Sequence, residues 1–318
     1  MSTKLASRMG RLGTETAFEV LVRAKALEAQ GRDVVHLEIG EPDFDTPQNI
    51  VEAGATALRE GWTHYGPAAG IPELREAISS YINGSRGTAF DADQVIVMPG
   101  GKPVMFFVIL ALLEEGDEAI YPDPGFPIYG SMIDYSGAKA VPIPLREEHG
   151  FRLDVDELAS LMNDNTKLLI LNSPANPTGG VLERADLEAI ADLAVKHDVT
   201  VLSDEIYAEL LYEGEHISIA TMPGMAERTI ILDGFSKTYA MTGWRLGYVA
   251  GPRAFMDEIA KVHSHSVTCA TSFAQFGGVA ALEGPQEFIG EMVTAWDRRR
   301  RAVAEGLNRV KGFKCELV

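Results

Sequence analysis

Short apolar runs alternate along this chain with stretches whose apolar residues recur at helical spacing. QVIVMPG (94–100) is followed by helical character over 102–113, EAIYPDPG (118–125) by 126–135, and KLLILN (167–172) by 184–196. VTVLSDE (199–205), RTIILDGF (228–235) and LGYVAG (246–251) complete the set. Strands that are apolar throughout and separated by helices predict a mainly parallel sheet buried on both faces, because each crossover lays a helix against it. In such sheets ligands collect outside the carboxyl ends of the strands. Four of the runs end in polar or Gly-rich turns, which puts candidate chemistry at that edge. Before the sheet come an N-terminal arm, the Pro-rich turn GEPDFDTP (40–47) and a helix over 49–60. After it, helical spacing over 285–310 leads into FKCELV (313–318), which has strand character and nothing following it to pair with. The pattern predicts a doubly wound large domain over 46–284. A smaller α/β domain, built from 1–45 and 285–318, is expected to be incomplete.

Composition narrows the function classes. With 46% hydrophobic and 23% charged residues the chain can bury a large core. Its net charge of -18, from 28 Lys and Arg against 46 Asp and Glu, opposes binding to a phosphate backbone, so nucleic acid is not an expected partner. Two cysteines, Cys269 and Cys315, are too few for a disulfide scaffold or a four-cysteine metal site, and they suit a reducing compartment. The N-terminus lacks the apolar stretch of a secretory leader, and the longest apolar run, 104–113, is too short for a bilayer. A cytoplasmic protein with no membrane partner and no metal is expected, and that run should be a buried helix.

Four segments carry candidate chemistry, in the order PGGKPVMF (99–106), NSPANPTGG (172–180), SDEIYAEL (203–210) and DGFSKTYAMTGWRLGY (233–248). Each has a plain alternative. NPTGG alone is a turn, a Ser-Lys pair usually faces solvent, an Asp after an apolar strand often caps a helix, and Gly-Gly-Lys lacks the GxxxxGK[ST] spacing of a phosphate loop. Those alternatives do not explain why all four occur in this order. Together with GEPDFDTP and HYGPAAG (64–70) they resemble the fold-type-I pyridoxal-phosphate enzymes, specifically the aspartate aminotransferase-like class I/II aminotransferases. The resemblance runs from about residue 17 to the end.

That resemblance implies a seven-stranded type of sheet and pyridoxal 5′-phosphate as cofactor. The cofactor needs an amine for its aldehyde, an acid for its ring nitrogen, donors around its phosphate and a flat partner for its ring. By the resemblance, Lys237 holds the aldehyde, Asp204 faces the ring nitrogen, and Asn176 and Tyr207 hydrogen-bond the phenolic oxygen. Phe126 stacks on the ring, where many relatives carry Trp or Tyr. Gly101 and Lys102 at a helix start, with Ser236 and Arg245, gather the phosphate. Tyr65 reaches the phosphate of a neighbouring subunit, which implies a homodimer with shared sites. The implied reaction moves an amino group from an L-amino acid to a 2-oxo acid, with Lys237, Asp204 and Tyr207 as the catalytic set. Gly40, Phe126 and Asn176 would contact the substrate.

One departure stands out. Relatives carry an arginine near the C-terminus that grips the substrate's α-carboxylate, and no segment here matches its motif, so the chain is expected to be an incomplete working enzyme. A related lyase or decarboxylase, and a cofactor-binding protein without turnover, remain open alternatives. Lys102 could select acidic substrates, as a lysine in the similar turn of some aspartate-using relatives does, or could face solvent at its helix start. Other features are expected to be structural. Met98, Met105 and Met132 read as packing, His263 and His265 lie two apart and do not share a helical face, and the arginines over 298–301 read as a solvated face.

Overall fold

All six apolar runs become strands. In the computed structural model, which describes residues 4–14 and 16–317, they are β1 (Val95–Met98), β2 (Glu118–Asp123), β4 (Thr166–Asn172), β5 (Thr200–Asp204), β6 (Thr229–Gly234) and β7 (Gly247–Ala250). A seventh strand, β3 (Lys139–Pro144), is one the apolar pattern does not predict. KAVPIP carries two prolines, and proline is tolerated there because β3 is the sheet's edge, where outward N–H groups need no partner. Among the described residues the strand order is β1-β7-β6-β5-β4-β2-β3. β7 runs antiparallel to both of its neighbours, and the remaining neighbours pair in parallel.

The helices are α1 (Thr16–Glu28), α2 (Gln48–Arg59), α3 (Pro72–Arg86), α4 (Gly101–Leu112), α5 (Ile128–Ser136), α6 (Val155–Leu161), α7 (Arg184–Lys196), α8 (Arg253–Val267), α9 (Ser272–Glu283) and α10 (Glu287–Asn308). Side-chain alternation along the strands divides the core between two faces. Ile96, Leu168, Ile170, Leu202 and Leu232 pack with α4, α5 and α8. Their neighbours Leu169, Leu171 and Val201 pack with α6 and α7, while Val95, Val97 and Ile231 pack with α3 and α9. The run 104–113 is thus a buried helix, and Met98, Met105 and Met132 are core residues. Among the described residues no helix is long and apolar enough to cross a membrane.

Two expectations are corrected. Residues 313–317 form no strand; Val318 lies outside the described residues. A strand needs a neighbouring edge for its backbone groups, and here the Asn308 side chain serves Cys315 instead, accepting from its N–H at 2.9 Å and donating to its carbonyl at 2.8 Å. The arginines over 298–301 are not simply a solvated face. Arg299 pairs with Asp43 at 2.7 Å, and Arg300, whose side chain is 15% exposed, lies 4.2 Å over the Tyr212 ring and pairs with Glu213 and Asp297.

Contacts at both ends of the chain converge on the GEPDFDTP turn. Thr46 Oγ1 donates to the Ala240 carbonyl at 2.7 Å and accepts from Trp244 Nε1 at 3.1 Å. Phe44 meets Trp296 of α10 edge-on at 5.6 Å. The Trp244 ring is wedged between α2 and α9, where a Cβ on Gly54 or Gly277 would come within 2.6 Å of it. Glycine at those two positions therefore lets the indole seat the loop that carries Arg245.

Candidate active site

The site begins where two parallel strands end in register. Asn172, last residue of β4, lies opposite Asp204, last residue of β5. The Asn172 amide donates to the Asp204 carbonyl at 3.2 Å, and its Oδ1 accepts from the Asn176 N–H at 2.7 Å, so the strand end fixes the turn that follows. Asn176 in turn donates from Nδ2 to the Tyr207 hydroxyl at 3.4 Å. Tyr207 comes from the turn directly after β5, which brings Asp204, Tyr207 and Asn176 to one strand end.

Asp204 is 2% exposed, and burial pushes its carboxyl up to about 7, against the hydroxyl of Tyr129 at 2.6 Å and the Ile206 amide at 3.3 Å, which favour the charged form. Burial and the nearby Asp204 carboxylate push the Tyr207 phenol up to about 12. On the sheet's other side Arg86 donates to Glu205 at 3.1 Å and to Asp233 at 2.8 Å. Burial works against the Glu205 carboxylate, but His216, Arg86 and Ser218 outweigh it and hold that group at about 2. Asp233 sits at about 6, raised by burial and partly relieved by Arg86. These groups lock the ends of β5 and β6 together.

Lys237 follows the end of β6. Its Nζ donates to the Gly40 carbonyl at 2.5 Å and lies 5.9 Å from the centre of the Tyr207 ring. Burial lowers its pKa; Glu41 pulls it back up, and Arg245 and Lys102 push it down. Lys237, Gly40, Asn176 and Tyr207 line one cleft of about 570 Å³, which Trp296 and Arg300 close from α10.

The phosphate-type features gather at the same sheet edge, beside the end of β6. Because Met98 of β1 pairs with Gly247 of β7, the turn after β1 and the loop before β7 emerge side by side. Gly100 has φ +99°, and a Cβ there would collide with the Arg245 guanidinium. Gly101 then opens α4, whose first N–H groups have no partner within the helix, beside that cation. Arg245, itself at φ 52°, is held by donation from its guanidinium to the Thr242 carbonyl at 2.7 Å. Ser236 lies half-buried next to Lys237.

Phe126 stands just before α5, edge-on to Tyr129 at 6.0 Å. The Lys102 ammonium lies 5.4 Å from the Phe126 ring centre and 5.3 Å from that of Phe18. Tyr65 is 88% exposed and does not line the cleft.

The strand-end positions of Lys237, Asp204 and Asn176, with Arg245 against a glycine turn at a helix start, follow the order and spacing of a known family. A model of aminotransferase class I and II matches residues 32–317. The chain belongs to the class I and II aminotransferases. An aspartate aminotransferase of Pyrococcus abyssi is 44% identical over 283 residues, covering 88% of this chain and 73% of that protein. The arginine–pyruvate transaminase of Pseudomonas aeruginosa is 40% identical, covering 94% of this chain and 76% of its own. The solved aspartate aminotransferase from Thermus thermophilus with maleate superposes with a TM-score of 0.93 at 39% identity, over 96% of this chain and 81% of that one. The aminotransferase is therefore a pyridoxal-phosphate enzyme that transfers an amino group between amino acids and 2-oxo acids.

Its residues fit that cofactor. The buried Asp204 carboxyl, raised by burial, would be relieved by a cationic ring nitrogen, and the Gly100–Arg245 cradle, in which a side chain would not fit, suits a phosphate. Tyr129, Asn172, Glu41 and Arg300 join the candidate site without having been singled out by motif. Two of them had a signal to find. Tyr129 is three residues after Phe126, and Asn172 ends its strand as Asp204 ends its own. Glu41 and Arg300 reach the cleft only through tertiary packing.

Proposed function

We propose that Lys237 carries the cofactor of this aminotransferase and moves the substrate's proton. In this assignment Asp204 faces the ring nitrogen, Asn176 and Tyr207 the phenolic oxygen, and Phe126 the ring. Gly101, Lys102, Ser236 and Arg245 surround the phosphate. The observation that carries the assignment is a lysine with a pKa lowered by burial and nearby cations, set in one cleft with Asn176 and Tyr207. The bound cofactor supplies the electron sink for the pair left when the Cα–H bond breaks. The chain's own residues supply the rest. The Gly40 carbonyl orients Nζ, the lowered pKa favours the neutral amine that can accept the Cα proton once the substrate's own amine has taken its place on the cofactor, and Gly40, Phe126 and Asn176 contact the substrate. Hydride reduction of the holoenzyme followed by peptide mapping should place the cofactor label on Lys237; label on another lysine would overturn the assignment.

The proposed amino donor is acidic, aspartate or glutamate. Support comes from the Lys102 ammonium beside Phe126 and from relatives named for aspartate, one of them solved with the dicarboxylate maleate. Lys102→Ala should then raise KM for aspartate and glutamate about tenfold more than for alanine, the worth of one charge-assisted contact. Equal losses for all three donors would remove this specificity.

The proposed assembly is a homodimer in which Tyr65 serves the neighbouring site. Tyr65 is exposed, and Phe18, Val22, Val35 and Leu37 leave apolar surface uncovered near the N-terminal arm. Cytoplasmic residence is proposed from the two free thiols, Cys269 and Cys315.

A further inference from the structure

Tyr129 is a buried titratable group to which the roles above give no work. It lies in the first turn of α5, three residues after Phe126, and it is 0% exposed. Its hydroxyl donates to Asp204 Oδ2 at 2.6 Å, a distance typical of a charge-assisted O–H···O⁻ bond. The other carboxylate oxygen, Oδ1, has only the longer Ile206 amide contact at 3.3 Å. The edge of the Tyr129 ring meets Phe126. One side chain thus touches both the carboxylate proposed for the ring nitrogen and the aromatic proposed for the ring face.

We propose that Tyr129 is a positioning residue that holds Asp204 ionised, with one oxygen turned toward the cofactor's ring nitrogen, and that it fixes the pitch of Phe126. This rests on the Asp204 role proposed above. The physical case is a competition. Burial favours the neutral acid at Asp204, and Glu205 and Asp233 behind the strand end add like charge. A donor that cannot itself ionise favours the carboxylate, and burial together with Asp204 keeps the Tyr129 phenol far above its ordinary value, so it remains a donor throughout the working range. Tyr207 also faces Asp204, and it too stays protonated. The Asn172 amide holds the Asp204 backbone, so the carboxylate's freedom is rotation of its own side chain, which the Tyr129 bond removes.

Tyr129→Phe deletes one oxygen and keeps the ring against Phe126. In the holoenzyme it should fold normally, and the pH midpoint of the bound cofactor's visible absorbance should move. The cofactor dissociation constant should rise about tenfold. The kcat should fall about ten- to a hundredfold with little change in KM for the amino acid, the worth of one charge-assisted hydrogen bond. In cofactor-free protein, carbon NMR should show the Asp204 carboxyl titrating higher in the variant than in the parent. Asp204→Asn tests the underlying role separately. If Asp204→Asn is inactive while Tyr129→Phe keeps the parent's absorbance midpoint and kcat, the Tyr129 proposal is overturned and the Asp204 role stands. If Asp204→Asn is itself near normal, the role on which the proposal rests fails. Adding Tyr129→Phe to Asp204→Asn should cost little more, whereas full additivity would mean that Tyr129 does not act through Asp204. Should Tyr129→Phe not fold, the parent decides: the NMR signals of the Tyr129 hydroxyl and the Asp204 carboxyl should share one titration midpoint, and separate midpoints would overturn the coupling.

Discussion

At the scale of single residues, Asp204 governs the electrostatics of the site. Burial raises its carboxyl from an ordinary 3.8 to about 7. Between those values the folded, cofactor-free protein keeps a proton that the unfolded chain has released, so its stability falls as pH rises from about 4 to about 7. The difference amounts to something on the order of 4 kcal/mol. Urea unfolding of cofactor-free protein across this range should reveal that slope, and Asp204→Asn should flatten it; an unchanged slope would mean that Asp204 titrates normally. In the holoenzyme, Asp204→Ala should still bind cofactor but lose several powers of ten in turnover, each 1.4 kcal/mol of lost transition-state stabilisation being about tenfold. Motif order was enough to single out Asp204, Lys237 and Asn176. It said nothing of the Tyr129 hydroxyl, because a tyrosine within an apolar helix turn looks the same whether its oxygen has a partner or not.

At the scale of elements, buried polar groups hold strands and helices in place. Arg86 reaches from α3 to Glu205 and Asp233, with all three side chains 4% exposed or less. Arg86→Met would leave two buried acids without their cation and should cost about 3–5 kcal/mol, measured as a lower urea midpoint. Retention of parental stability would mean that the acids neutralise at no cost. On α8, His263 is 0% exposed, its ring centre sits 5.8 Å from that of Phe107, and among the described residues neither ring nitrogen has a hydrogen-bond partner. Burial lowers its pKa from 6.5, so its stability contribution is complete above that value and is lost as pH falls below it, when the unfolded chain takes up a proton that the folded one refuses. Thermal melts at pH 5 should therefore favour His263→Leu over the parent, with the advantage gone at pH 8. The helix patterns over 49–60, 102–113, 184–196 and 285–310 became α2, α4, α7 and α10 with ends shifted by two residues or fewer. β3 escaped because prolines suppress the strand pattern and only its edge position makes them harmless.

At the scale of the whole molecule, the proposed sharing of Tyr65 makes a complementation test decisive. A Tyr65→Ala subunit and a Lys237→Ala subunit are each impaired in their own homodimers. In a mixed dimer the site holding the intact Lys237 also receives an intact Tyr65 from its neighbour. Random mixing should restore roughly a quarter of the parental activity, since half of the dimers are mixed and each has one complete site. No gain on mixing would show that sites are not shared in this way. Within one chain, the GEPDFDTP turn ties α10 to the loop after Lys237, through Asp43–Arg299 on one side and Thr46–Ala240 on the other. The cleft is therefore closed by residues more than 50 positions beyond the lysine, among them Trp296 and Arg300.

The sequence by itself determined six of the seven described strands, most of the helices, and the sheet edge to which Lys237, Asp204, Asn176 and Arg245 were expected to come. It could do so because periodicity and motif order are local, and because parallel strands deliver whatever follows them to one edge. Tertiary structure alone decided that the arginine at position 300 enters the cleft, that residues 313–317 pair with a side chain at the end of α10 rather than with a strand, and that Tyr129 bonds Asp204 from 75 residues away. Each of those outcomes depends on which surfaces become neighbours once the helices pack. A solvated arginine and a cleft arginine, or a strand and a strand-like tail, have the same residues and differ only in what lies beside them.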